Sequence, residues 1–433
     1  MKYSKLIART FLAVLTLAAL LLAACDSSGN PAADGDADTP AEQQEQPQEL
    51  PFEPAGPTAA PDPFEPGPFA VGCKTYTFTN NDHVYRATDK DPGKARTLIT
   101  EVWYPARQEY KNGPFHTYEI GEEAPDYMPM KQAVIDAHLA GIPSKAVRDA
   151  EMDRDHGPYP VIFFSHGANG IRWQSTFYTD HLASHGYIVV AADHEHNTVW
   201  DLIMDGYNTA EVVKSAPERL EDMPFLLDRM TEFNNDAAHF FASSMNLDKV
   251  GITGHSFGGF TSYTVPCRDT RFKAAVAHSP VMGLSLVFGC VMEEYSVPLM
   301  VMGGTTDKTV PYHDQYCEYR MTKGQPKWLY EVEDGGHFTF SNICDLDLLS
   351  LNDVVDFSNA EDALEDGCAD FNVPYQDAHQ TIDFYATAFF NNYLRGSSAS
   401  LDYLEDRDDA PFDSVNFYVG DDLPDWPDGG CED

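Results

Sequence analysis

An α/β fold is predicted, with a mostly parallel central sheet and helices on both faces. Three observations carry it. Short apolar runs such as Tyr159–Ser165 and Tyr187–Ala192 read as strands buried on both faces. Segments that read as helices alternate with them, which implies right-handed βαβ units. A glycine-rich turn, Gly254-His255-Ser256-Phe257-Gly258-Gly259, separates the apolar run 249–253 from a stretch at 260–265 that can begin a helix. The chain has 433 residues, 43% of them hydrophobic, enough for one large domain or two ordinary ones.

Taken in order, the chain opens on a basic stretch containing Lys2 and Lys5 and an apolar run from Phe11 to Leu22. That run is short for a membrane span and reads as a signal peptide, 1–24. Leu22-Ala23-Ala24-Cys25 resembles a bacterial lipobox, which implies cleavage before Cys25 and a lipid on its thiol. The resemblance places the protein in a bacterial cell envelope, membrane-anchored and facing the periplasm or the exterior. Residues 25–68 are rich in Pro, Ala, Asp, Glu and Gln and lack an apolar period. They are expected to form a disordered tether.

The main domain is expected over 69–396. Strands are predicted at 73–79 and 97–104, then a mixed connection with a helix near Met130–Ala140. The strand at 159–165 leads to a helix over 173–185 and a strand over 187–192. Residues 217–245 read as a helix, with Leu220, Leu226, Leu227 and Met230 on one side. Further strands are predicted at 249–253, 272–277 and 297–302, an alternating one at 327–332, and a closing amphipathic helix at 376–394. Residues 341–375 form an acidic insertion with two open readings, a lid over the pocket or a surface elaboration. The acidic, aromatic extension 397–433 carries no assignment.

In an open sheet of this kind, sites lie beyond the carboxyl ends of the strands. Ser256 sits at such an end, in a strand–turn–helix setting that suits a G-x-S-x-G nucleophile elbow. A serine hydroxyl needs a base, and the base needs an orienting acid. Asp307 follows the strand 297–302 and is the expected acid. His337 follows the strand 327–332 in a Gly-Gly-His loop and is the expected base. The order Ser256, Asp307, His337 is that of an α/β-hydrolase. The oxyanion donors expected are the backbone N–H groups of Phe257 and Ala168, the latter in the loop Ser165-His166-Gly167-Ala168-Asn169-Gly170. His379 reads as structural or exposed, and His255 as pointing away from the reaction. His194 and His196 have a two-residue spacing without further partners, so no metal is expected, and pocket lining is their alternative reading.

These motifs carry a family resemblance. Val161-Ile162-Phe163-Phe164-Ser165-His166-Gly167, Leu182-Ala183-Ser184-His185-Gly186-Tyr187 and the elbow resemble the platelet-activating-factor acetylhydrolase and dienelactone-hydrolase-like group of α/β-hydrolases. Glu101-Val102-Trp103-Tyr104-Pro105 is similar too, and the likeness runs over about residues 73–395. It implies hydrolysis of carboxylic esters without a cofactor, with small-molecule, lipid or polymeric esters as substrates. Two departures stand out. The eukaryotic acetylhydrolases carry the acid one strand earlier, where this chain reads Val276-Ala277-His278-Ser279-Pro280. Dienelactone hydrolases use a cysteine where this chain has Ser256. The placement of the three residues is also similar to that in bacterial cutinase-like polyester hydrolases. A serine peptidase on the same fold and a catalytically silent binding scaffold are the competing readings.

The net charge of −41 argues against nucleic acid as a partner. It fits solubility in a salty or extracellular setting, with steering of cationic substrates as the sharper alternative. Eight cysteines leave seven when Cys25 is set aside, so at least one is expected unpaired or paired between chains. Cys344 with Cys368, and Cys267 with Cys290, are the preferred disulfides.

Overall fold

The computed structural model describes residues 61–433 except 86–92, 127, 129, 347, 354–359, 406–411, 413, 414, 425, 427–430, 432 and 433. The signal peptide, Cys25 and the tether up to residue 60 lie outside the described residues.

A ten-stranded sheet forms the frame. Its strands are β1 (Ala70–Tyr85), β2 (Lys94–Ala106), β3 (Ala146–Arg148), β4 (Tyr159–Ser165), β5 (Ile188–Ala192), β6 (Met245–His255), β7 (Phe272–His278), β8 (Leu299–Gly304), β9 (Lys327–Val332) and β10 (Val415–Val419). They lie in the order β10-β9-β8-β7-β6-β4-β5-β2-β1-β3. From β5 across to β9 every pairing is parallel. Antiparallel neighbours flank that block, β2 against β5 and β10 against β9.

The strands alternate between two cores. Val161 and Phe163 point into one, Ile162 and Phe164 into the other. Helices α1 (Thr176–Ser184) and α5 (Tyr375–Arg395) cover the face of Ile162. Helices α2 (Thr209–Asn235), α3 (Phe257–Arg268) and α4 (Tyr312–Met321) cover the face of Val161. Both faces of the central strands are therefore dry, which is why they read as unbroken apolar runs. Helix α5 lies so close to β6 that a Cβ on Gly251 would stand 2.8 Å from the Phe390 ring.

Several expectations need correction. The first two strands are longer than predicted and pair as one antiparallel hairpin. The helix expected over Met130–Ala140 is only Lys131–Asp136. The helix expected over 217–245 starts earlier and stops at Asn235. Asn208 caps its start by accepting from Ala210 and Glu211 N–H, and Asp236 turns to extended backbone at its end. Asn234 then holds the chain that returns to the sheet, its Oδ1 accepting from Met245 N–H at 2.9 Å. The strand 327–332 does not alternate as expected, since Lys327 is fully buried. Its ammonium donates to Tyr319 O and Thr322 O and pairs with Asp421 at 2.8 Å.

The ends of the domain also differ. Gly67, within the expected tether, is buried and donates its N–H to Ser184 Oγ at 2.8 Å, so the folded body begins upstream of Phe69. The unassigned extension contributes helix α6 (Ala399–Glu405) and strand β10. Among the described residues there are three disulfides, Cys267–Cys290, Cys344–Cys368 and Cys317–Cys431, and Cys73 is a buried free thiol. The third pair, absent from the expectation, ties the C-terminal extension to α4.

Candidate active site

Ser256 stands between β6 and α3 with φ 58° and ψ −116°. A non-glycine residue in that region is strained and needs fixed surroundings. Its N–H donates to His278 O at 2.8 Å, which ties the turn to the end of β7. The flanking glycines are required by space. A Cβ on Gly258 would fall 1.8 Å from Ser165 O, so the end of β4 presses directly into the turn. The loop after β4 is thereby held against Ser256, and a Cβ on Gly167 would lie 3.5 Å from Ser256 Cβ.

The structure brings the three predicted residues into one chain of hydrogen bonds. His337 Nε2 lies 2.8 Å from Ser256 Oγ, and His337 Nδ1 lies 2.8 Å from Asp307 Oδ2. Asp307 stands after β8, one strand beyond the empty position at 276–280. Its Oδ1 accepts from Thr309 N–H at 3.0 Å and Val310 N–H at 2.7 Å, and its Oδ2 also accepts from Gln315 at 3.2 Å. These bonds leave the carboxylate one orientation, toward the imidazole. The acid and base loops are zipped together by Thr306 N–H and Gly335 O at 2.9 Å. A Cβ on Gly304 would sit 2.2 Å from that same oxygen, so the approach demands glycine.

Sequence reasoning missed Asp366, which sits in the insertion closed by Cys344–Cys368. Its carboxylate accepts from Lys308 N–H, His337 N–H and the Thr309 hydroxyl, at 3.0, 3.0 and 2.8 Å. One buried side chain thus clamps both loops. Burial pulls the His337 imidazole down, but the Asp307 charge, its hydrogen bond and the Asp366 charge more than offset this and raise its pKa. The signal for Asp366 is weak in the sequence, since it is one acid among many in 341–375.

His255 does point away from the reaction, as expected, but it is not idle. Gln174 accepts from Gly167 N–H at 2.9 Å and lies 3.0 Å from His255 Nδ1. His255 Nε2 lies 2.8 Å from His337 O. With Gln174 donating to Nδ1, the Nε2–H donates to that carbonyl. The loop after β4 is in this way tied to the base loop. His379 is buried, with its Nε2 3.1 Å from Ser341 O.

The N–H groups of Ala168 and Phe257 have no protein acceptor among the described residues. Phe257 is the first residue of α3, where free N–H groups and the helix dipole favour negative charge. Ala168 stands in the loop that packs on Ser256. The arrangement has the parts for acyl transfer: a hydroxyl with a base, an oriented base, and two free amides, one at a helix start and one in the loop after β4.

His194 and His196 do not come together as a pair of ligands. His194 is fully buried and makes a second Ser–His–Asp chain, with Nε2 2.8 Å from Ser165 Oγ and Nδ1 2.7 Å from Asp222 Oδ2. His196 is partly exposed beside Glu195 and Asp201. No cluster of metal-ligating side chains occurs among the described residues.

Comparison with known proteins follows the same line. The chlorophyllase family model matches residues 126–307, a stretch that includes Ser256 and Asp307 but ends before His337. Chlorophyllase-1 of Citrus unshiu is 30% identical over 156 residues, covering 34% of this chain and 43% of that protein. Platelet-activating factor acetylhydrolase of Cavia porcellus is 25% identical over 249 residues, covering 50% of this chain and 54% of that protein. The chain thus spans about half the length of these curated relatives. Among solved structures, a ferulic acid esterase from Streptomyces cinnamoneus superposes with a TM-score of 0.57 at 21% identity, covering 81% of this chain and 96% of the other. The fold is that of the α/β-hydrolases, and the sequence is similar to the platelet-activating-factor acetylhydrolase-like group within it.

Proposed function

We propose that this protein is an exported, lipid-anchored serine esterase that hydrolyses carboxylic esters. The observation that carries the reading is the unbroken Ser256–His337–Asp307 hydrogen-bond chain at the elbow. Ser256 Oγ attacks the ester carbonyl carbon as its proton passes to His337 Nε2. The carbonyl oxygen becomes an oxyanion held by the Ala168 and Phe257 amides. When the tetrahedral species collapses, the ester C–O bond breaks and the alcohol leaves with the proton from His337. Water then gives its proton to His337 and its oxygen to the acyl carbon, which frees the acid and restores Ser256. Asp307 holds the imidazole in the needed tautomer throughout.

Ester over amide is favoured because the similar proteins carry the names chlorophyllase, acetylhydrolase and esterase. A fluorophosphonate probe should label Ser256 in the full chain, and p-nitrophenyl esters of graded chain length should turn over. Absence of both labelling and turnover would sink the reading.

The address rests on the lipobox-like stretch ending at Cys25. More than one acyl chain on that residue would anchor the protein stably. Mass spectrometry of the mature N-terminus should find a lipidated Cys25, and Cys25→Ser should block that modification and leave precursor or aberrantly processed protein. An unmodified cysteine would make it a freely secreted enzyme and leave the chemistry standing.

A further inference from the structure

The loop that carries Ala168 is held from behind by one buried cation. Arg219 stands on α2 and is fully buried. Its Nη1 donates to His166 O at 2.6 Å and to Ser165 Oγ at 3.2 Å, and its Nη2 donates to Gly167 O at 2.9 Å. Asn197 Oδ1 accepts from its Nε at 3.0 Å and so fixes the plane of the guanidinium. The guanidinium carbon lies 4.9 Å from the centroid of the Phe257 ring. Arg219 therefore touches the residues that surround both candidate oxyanion donors.

The Gly167 carbonyl and the Ala168 N–H belong to one planar peptide. Anchoring the oxygen sets the direction of the N–H at the other side of that plane. The oxygen takes a second bond from His166 Nδ1 at 2.7 Å. His166 can donate there because its Nε2 accepts from His194 N–H. A positive charge on the oxygen also polarises the peptide, which strengthens its N–H as a donor. No carboxylate lies within ion-pair distance of Arg219 among the described residues. Asp222, whose charge acts on Arg219, is bonded instead to Arg96 and His194. Burying an unpaired charge is costly. Here that charge stands directly behind the place where negative charge would develop.

We propose that Arg219 is a positioning residue of the oxyanion pocket, which aims and strengthens the Ala168 N–H through the Gly167 carbonyl and backs Phe257 with its flat face. The proposal rests on Ala168 and Phe257 being the oxyanion donors. A lysine at 219 keeps the charge but cannot bridge two carbonyls in one plane. Losing one oxyanion donor outright costs on the order of 100- to 1,000-fold, so misaiming one should cost Arg219→Lys about 10- to 100-fold in kcat.

The test uses the full chain, with active sites counted by fluorophosphonate titration. For Arg219→Lys, kcat per titrated site should fall by the stated factor while KM stays nearly constant. Inhibition by an alkyl boronic acid, whose tetrahedral serine adduct places an oxygen in the pocket, should weaken by a similar factor. Asn197→Ser, which loosens the guanidinium plane, should move kcat and boronate affinity the same way by a smaller factor. A loss that lies wholly in KM, or wholly in the fraction of titratable sites, would overturn the proposal. If Arg219→Lys does not fold, unchanged kcat and boronate affinity in Asn197→Ser would overturn it equally. Should the unaltered protein neither label nor turn over esters, the esterase reading falls and takes this one with it. Ordinary behaviour of the unaltered enzyme beside unchanged variants sinks this one alone.

Discussion

Two Ser–His–Asp chains occur among the described residues, one at the candidate elbow and one deeper in the body. Ser256–His337–Asp307 and Ser165–His194–Asp222 have nearly the same hydrogen bonds, between 2.7 and 2.8 Å. Their surroundings are opposite. His337 has two carboxylates near it, Asp307 and Asp366, and its pKa is raised. His194 is pushed down to about 3, by burial first and then by the Arg219 and Arg96 charges, which Asp222 only partly offsets. Asp222 is held well below the usual carboxylate range: burial pushes it up, but bidentate Arg96 outweighs that. The backbones differ as well. Ser165 ends a regular strand and is fully buried, whereas Ser256 sits strained at the start of a helix with about a tenth of its surface open. Hydrogen-bond geometry alone does not make a nucleophile. Access, nearby amides and the sign of the surrounding field decide it.

The comparison breaks most sharply at the serines. Ser256→Ala should lower kcat by on the order of 10⁶-fold with the fold intact. Ser165→Ala should leave kcat within a few-fold and cost about 1 kcal/mol in stability, as loss of a buried hydrogen bond does. Ester kinetics and urea melts on both variants check this. Comparable losses of activity would erase the distinction.

The acids come next. Asp307→Asn should cost on the order of 10⁴-fold in turnover, because the imidazole would be held in the wrong tautomer, with little change in melting temperature. Asp222→Asn should do the reverse and destabilise by about 3–5 kcal/mol, since Arg96 is left as a buried, poorly compensated charge. Calorimetry beside kinetics separates the two; a large turnover loss in a stable Asp222→Asn would mean that the inner chain takes part in catalysis.

The smallest expected effect concerns pH. His337 must be neutral to accept the Ser256 proton, so kcat/KM should fall as pH drops through its raised pKa. That limb should lie above the ordinary imidazole value of 6.5. Asp366→Asn removes one of the charges that raise it, so the limb should move to lower pH. A uniform loss of activity at every pH, with the limb unmoved, would show that Asp366 only clamps the loops.

The residues that the candidate site brings together were legible where a local pattern marks them. Ser256, Asp307 and His337 each stand just past an apolar strand, and their order along the chain suits the fold. The disulfides Cys267–Cys290 and Cys344–Cys368 were legible because each encloses one short segment. What escaped are contacts made across space. Asp366 gains its place only when the insertion folds back on two loops far away in sequence. Arg219 looks like one more charge on a helix until its neighbours Ala216, Leu220 and Met223 prove buried. Lys327 opens a strand expected to alternate, and the carbonyls of Tyr319 and Thr322 with the Asp421 carboxylate explain why it is inside. Cys317–Cys431 joins residues 114 apart, beyond any local cue.

Strand β10 has a consequence for how this protein survives among other copies of itself. Within the parallel block, β9 is the last strand, and it carries Trp328, Leu329 and Tyr330. Without β10 it would present a row of unpaired backbone groups beside an apolar surface, a template on which another chain can add. The segment 415–419 covers that edge from Trp328 to Val332, and Cys317–Cys431 staples it there. Asn416, Asp421 and Asp422 lie on or beside the covering strand. The new margin of the sheet is only five residues long, which leaves another chain little backbone to add to. A chain cut at residue 396 would keep every reacting group and still lose this protection. Its failure would appear as aggregation before it appeared as lost chemistry.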